Sequence, residues 1–295
     1  MEARALCFLV IILLVQCDRP VNTNEHIFEH GVIAGILDSN EIDEASGLVS
    51  SKANNRMLWT HNDSGDKARI FLIDSLGKYQ ATVWLRGITN RDWEDIALGP
   101  GPEADKTYLY IGEIGDNMAQ YPSKVIYRIE EPVFTGDTSV FIDEVDTIRF
   151  VLPDGNRDTE ALMIDPHTKD LYIFSKREDA INLYRLPYPQ STIEMMVAEK
   201  VLEAMPFTLI VAADWSADGK EILIKNYKQV YYWKRKKDQP LSETLREVPE
   251  ILPYDEEPQG ESIAFALDGS GYYTLSEYAK GVKPMLMFYP RSKQE

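Results

Sequence analysis

Acidic residues recur at matched places along this chain. Asp92, Glu94 and Asp95 stand at the entry to one short apolar run, Asp158 and Glu160 to another, Asp214 to a third and Glu261 to a fourth. Where the following runs end stand Asn62, Asp63 and Asp66, then Glu113, Asp116 and Asn117, then Lys176, Asn226 and Glu277. Carboxylates gathered in one place repel, raise one another's pKa or recruit a cation. An oxygen-only donor set, with no histidine or cysteine set beside it, suits Ca²⁺ or Mg²⁺ better than zinc. Glu94, Asp116, Glu160 and Glu261 are the candidate metal ligands, with Ca²⁺ as the expected cofactor. In a hydrolase, Glu94, Glu160, Glu261 and Lys176 are the candidate catalytic groups. Lys176 either neutralises two of the acids or holds an anionic ligand. The plainer alternative for each acid is a structural clip onto backbone amides of a neighbouring element.

One stretch tempts a more local answer. His61-Asn62-Asp63-Ser64-Gly65-Asp66 offers oxygens at the one-three-five spacing of calcium loops. An EF-hand counted from Asn62 would need Gly at its sixth position and Glu at its twelfth. Those positions hold Lys67 and Ile73. The stretch therefore belongs to something distributed along the chain.

The chain beyond residue 43 repeats itself. EASGLVSS (44–51), WEDIALGP (93–100), TEALMIDP (159–166), AADWSADG (212–219) and GESIAFAL (260–267) are short apolar strands opened by an acidic or small polar group. Each is followed by a second and a third strand, and four of the five by a fourth. With Ser46, Glu94, Glu160, Asp214 and Glu261 as equivalent points, the intervals approximate the length of a four-stranded propeller blade. Asp218-Gly219 and Asp268-Gly269 supply hairpin turns in the last two units. The final unit lacks its fourth strand, and HGVIAGIL (30–37) is free to complete it and remove two exposed sheet edges. The expectation is an all-β protein, a five-bladed β-propeller closed by an N-terminal strand. Its blades fall near 44–87, 92–152, 158–206, 211–253 and 259–291. Six blades is the alternative, because the interval from Glu94 to Glu160 is long. In such a ring the loops entering first strands and leaving second strands open on one face, so the polar residues named above share one mouth of the central channel.

Composition sets the surroundings. A formal charge of -17 and a pI near 4.7 argue against nucleic acid, and against anionic membranes bound through a basic surface. Lys234-Arg235-Lys236-Lys237 reads as a solvated loop, and Tyr231-Tyr232-Trp233 as blade-packing aromatics. At the N-terminus, Arg4 precedes eleven apolar residues, Ala5 to Val15. As a helix these rise roughly 16 Å, short of a bilayer core of about 30 Å, and fit a signal peptide over 1–16. Leu14-Val15-Gln16-Cys17 resembles a lipobox, which makes Cys17 a lipidation site and 17–29 a tether. Ordinary secretion is the alternative. Cys7 leaves with the signal, so the mature chain holds one cysteine and no intrachain disulfide.

LWTHNDSGD, NRDWEDIALGPG, LYIGEIGDN, DTEALMIDPHTKDLYIFSK, ADWSADGKEILIKNY and GESIAF together resemble a family of bacterial exported β-propeller proteins over residues 44 to about 278. The resemblance implies the architecture and export to the cell envelope, and implies no reaction. More remotely, Asp158-Thr159-Glu160-Ala161-Leu162 is similar to phytase-like and esterase-like secreted propellers, whose acidic channel mouths often hold calcium. The leading expectation is a monomeric binding or scaffold propeller that takes a small-molecule or protein ligand at its mouth. A Ca²⁺-dependent phosphoesterase and a glycoside hydrolase are the alternatives.

Overall fold

The structure is a computed structural model that describes residues 26–293. The chain opens with strand β1 (Val32–Ile36). Blade one follows as β2 (Ala45–Ser50), β3 (Met57–Asn62), β4 (Arg69–Asp74) and β5 (Tyr79–Leu85). Blade two is β6 (Trp93–Pro100), β7 (Thr107–Glu113), β8 (Lys124–Glu130) and β10 (Asp146–Val151), with β9 (Ser139–Ile142) between the last two in sequence but joined to blade one. Blade three is β11 (Thr159–Ile164), β12 (Leu171–Ser175), β13 (Ile181–Leu186) and β15 (Glu199–Met205), with β14 (Met196–Val197) between the last two in sequence but paired parallel with β10 at the edge of blade two. Blade four is β16 (Ile210–Trp215), β17 (Glu221–Asn226) and β18 (Val230–Lys234), the helical turn α1 (Leu241–Thr244) and β19 (Glu250–Leu252). Blade five is β20 (Gly260–Phe265), β21 (Gly271–Ser276) and β22 (Met285–Pro290).

Five sheets stand in a ring, with β2, β6, β11, β16 and β20 side by side around the axis. Every residue of β2, β11 and β20 is buried, as strands lined by other blades on both faces require. The hydrophobic core is divided into five clusters, one in each gap between neighbouring blades. Tyr231 and Trp233 lie in the cluster between blades three and four, where Phe207 meets Tyr231 at 4.7 Å and Trp233 at 5.8 Å between ring centres. Gly219 and Gly269 take positive φ, +71° and +73°, at the two Asp-Gly turns, where a side chain would be strained.

The closing strand forms as expected: β1 pairs antiparallel with β22, from Val32 opposite Phe288 to Ile36 opposite Met285. The packed chain starts earlier than residue 30, however. Phe28 is fully buried against Tyr272 and Tyr232, its neighbour Glu29 donates its amide to Pro290, and Ser292 donates its amide to Ile27 at 2.9 Å. The last part of the expected tether is thus docked on blade five, because an aromatic ring there finds an apolar gap to fill. The signal sequence over 1–16, Cys17 and the tether as far as 25 lie outside the described residues. The long interval from Glu94 to Glu160 is spent on β9, which crosses to blade one and pairs parallel with β5, so there is no sixth blade. Among the described residues no helix is long and apolar enough to cross a membrane.

Candidate functional site

Every first strand enters its blade through a β-bulge. The register slips between Ala45 and Leu48, Trp93 and Asp95, Thr159 and Ala161, Ile210 and Ala212, and Gly260 and Ser262. A bulge leaves one residue unpaired and re-aims its side chain. The first residues in the bulges are Ser46, Glu94, Glu160, Val211 and Glu261, so three of the five positions carry a glutamate. Blade four contributes Val211 there. Asp214, expected at this place, sits three residues further down β16. It accepts amides from Trp215 at 2.8 Å and Phe265 at 2.7 Å, clipping blade four to blade five towards the other end of the channel. Burial pushes it up to about 7.

Around the mouth the acids form a crescent. One oxygen from each of Glu94, Asp158 and Glu160 lies within 4.8 Å of the others, and the same holds for Asp63, Asp92 and Glu94 and for Asp63, Glu261 and Glu277. Glu94 and Asp63 belong to two groups each and link the crescent together. Four of the seven carboxylates, Asp63, Asp92, Asp158 and Glu277, come from loops, and the other three, Glu94, Glu160 and Glu261, from the bulges of β6, β11 and β20. Gly115, in the loop after β7, makes room for them: a Cβ there would fall 2.0 Å from Glu94 Oε1 and 2.5 Å from Asp92 Oδ2.

Positive charge is scarce by comparison. Lys176 Nζ lies 2.8 Å from Glu160 Oε1, with both side chains buried, and 5.4 Å from the centre of the Tyr227 ring. The Tyr227 hydroxyl donates to Glu261. Arg177 pairs with Asp158 at 2.5 Å, half-exposed. Behind the mouth, buried Lys124 donates to the Ile114 carbonyl at 2.6 Å and buried Lys225 to the Gly260 carbonyl, and burial pushes both ammonium groups down to about 8.

The acids respond to this imbalance. Burial, opposed by Lys176, pushes Glu160 up to about 8. Burial pushes Glu277 up to about 8 with help from Glu261 and Asp63, and Asp63 up to about 7 against the pull of the Ser64 amide. Glu94 is held well above the usual carboxylate range by burial and by the neighbouring Glu160 carboxylate. Asp92 is raised by burial and by Asp158. Near neutrality the mouth therefore holds protons that a divalent cation would displace.

Several residues expected at the mouth have other work. Asp116 Oδ1 and Oδ2 accept the amides of Gln120 at 2.7 Å and Tyr121 at 2.9 Å, which closes its own loop, and it stands outside the three acid groups. Asn62 bridges the Glu41 carbonyl, Asp66 and the Glu44 amide, and Asp66 is paired to Arg69 at 2.8 Å. Of the HNDSGD stretch, only Asp63 joins the crescent. Asn117 is exposed on its loop. Glu113 takes hydrogen bonds from Trp93 and Tyr127, and Asn226 caps the turn at Lys228 and Gln229. Asp95 is fully buried on the axis and accepts amides from Ile96, Leu162 and Ala213, so it ties blades two, three and four together. Tyr227 was not foreseen as a contact of the acids. Its only signal was its place in KNYK, the blade-four counterpart of HNDSGD.

A scan against protein-family models finds no match, and a search of curated proteins finds no similar sequence, so the site is read from its own geometry.

Proposed function

We propose that this β-propeller is an exported, lipid-anchored binding protein whose acidic mouth takes a divalent cation, with Ca²⁺ the fitting ion, and presents it to a small-molecule or protein ligand. The observation that carries the proposal is the crescent itself: seven carboxylates in linked groups with one buried lysine in contact. Oxygen donors at these separations suit a hard cation with flexible coordination. Asp63, Asp92 and Glu94 would hold it on one side and Asp63, Glu261 and Glu277 on the other. Glu160 is already engaged by Lys176. The leader and the Leu14-Val15-Gln16-Cys17 pattern support export and anchoring. The hydrolase alternatives have less behind them. Lys176, the candidate phosphate contact, is committed to Glu160.

The test is thermal unfolding at pH 8 and pH 6, with excess Ca²⁺ or with EDTA. At pH 8, Ca²⁺ at a hundredfold excess over its dissociation constant should raise Tm by about 5 °C or more. At pH 6 protons compete and the shift should shrink. No shift at pH 8 would dismiss the cation site.

A further inference from the structure

The packed chain begins on the face opposite the acidic mouth. Glu261 and Glu277, at the mouth, belong to the same end of blade five as the start of β22 and the end of β1, because Met285 lies opposite Ile36. The other end of β22 carries the Phe28–Arg291 bridge and the Ser292-to-Ile27 hydrogen bond. The described chain therefore starts on the far face. Beside β1 that face has a groove of about 690 Å³ between blades five and one. Val32, Leu76 and Leu267 line it at 54%, 56% and 40% exposure, and exposed Lys52, Arg56 and Asp268 stand among them, two basic side chains to one acidic.

We propose that this far face is the side that meets the lipid surface, with Val32, Leu76 and Leu267 seated in the headgroup layer and the acidic mouth turned away from it. The inference rests on the anchored reading above and adds an orientation and a contact surface to it. From Cys17 to His26 is nine residues. Fully extended, they reach about 30 Å. A six-residue strand such as β22 is already roughly 20 Å tall, before the loops at both ends. Turning the mouth to the lipid would use nearly all of that reach to climb the blade, and would press the carboxylates against phosphate headgroups. With the far face inward, apolar loop tips beside basic side chains meet the headgroup and acyl boundary, the chemistry of an interfacial contact.

The experiment uses the full chain, expressed with its leader and purified in lipidated form, in two single-cysteine variants labelled with bimane. Leu267→Cys marks the far face. Met118→Cys marks the mouth, on the loop after β7, where the side chain is 77% exposed. Both are bound to phosphatidylcholine vesicles doped with headgroup-spin-labelled lipid, and Cys17→Ala serves as the unlipidated control. Flotation of the parent but not of Cys17→Ala, with several-fold stronger quenching at 267 than at 118, is the expected result. Equal quenching, no quenching at either label, or stronger quenching at 118 in floating protein overturns the orientation and leaves the anchor standing. If the parent fails to float, or Cys17→Ala floats equally well, the anchored reading fails and the orientation falls with it.

Discussion

Replacing Lys176 with methionine keeps the length and most of the apolar packing of the side chain and removes its charge from beside Glu160. At 2.8 Å and an effective dielectric near 20 the lost attraction is about 6 kcal/mol. Removing one partner from a buried pair costs about 3–5 kcal/mol net, because the other charge is left uncompensated. The cost depends on pH in a direction the structure sets. Glu160 titrates near 8 in the fold and near 4.5 when unfolded, so between those values the folded chain holds the extra proton, and this group's contribution to stability falls as pH rises by about 1.4 kcal/mol per unit. At pH 6 Glu160 carries its proton in parent and variant alike, so its share of the attraction is gone and Lys176 faces Glu261 alone. At pH 8.5 the parent ionises Glu160 against Lys176, whereas the variant must either keep the proton or bury a bare carboxylate. Urea unfolding should therefore show a loss of about 3–5 kcal/mol at pH 8.5 that is smaller at pH 6. Excess Ca²⁺ should restore part of it. A loss equal at both pH values, or below about 1 kcal/mol at pH 8.5, would show that Lys176 does not compensate the acids and would refute the electrostatic account of the mouth.

Other substitutions separate site from scaffold. Gly115→Ala places a methyl group against Glu94 and Asp92, so calorimetric titration should show Ca²⁺ affinity lost, while overpacking costs about 1–3 kcal/mol and the far-ultraviolet circular dichroism is unchanged. Asp63→Asn should diminish the Ca²⁺-induced rise in Tm, and Asp66→Asn should leave that rise intact while costing about 1 kcal/mol through Asn62 and Arg69; the opposite pattern would return the cation to a local HNDSGD loop. Phe28→Ala should cost about 3–5 kcal/mol in urea unfolding, and a cost near zero would put the start of the domain back at residue 30.

The propeller was legible because its signal is local and repeated. Apolar strands at blade-like intervals, Asp-Gly turns and an unpaired strand at each end of the chain are properties of short segments, and β1 on β22 answers the count of unpaired edges. The shared acidic mouth was legible for the same reason, since loops at equivalent points of equivalent blades must open on one face. Asp214 marks where that reasoning stopped. It looks like Glu94 and Glu160 in a linear comparison, and only the backbone pairing reveals that blade four has Val211 in the bulge. Asp116 and Asp66 look no different in sequence from Asp158 and Asp63, and only the fold brings the latter two within reach of Glu94, Glu160 and Glu261.

By itself, then, the sequence determined the propeller architecture, the closing strand and the face on which the acids gather, because period, turn chemistry and edge pairing are read over a few residues at a time, while five blades against six was decided by where β9 pairs. The tertiary structure alone decided which carboxylates point into the mouth, which one lysine opposes them, and on which face the described chain begins. Those outcomes depend on distances of a few ångströms between residues some fifty or more positions apart, such as Glu94 and Glu160 or Asp63 and Glu261, and a bulge that shifts register by one residue changes them without any mark in the pattern of apolar and polar residues.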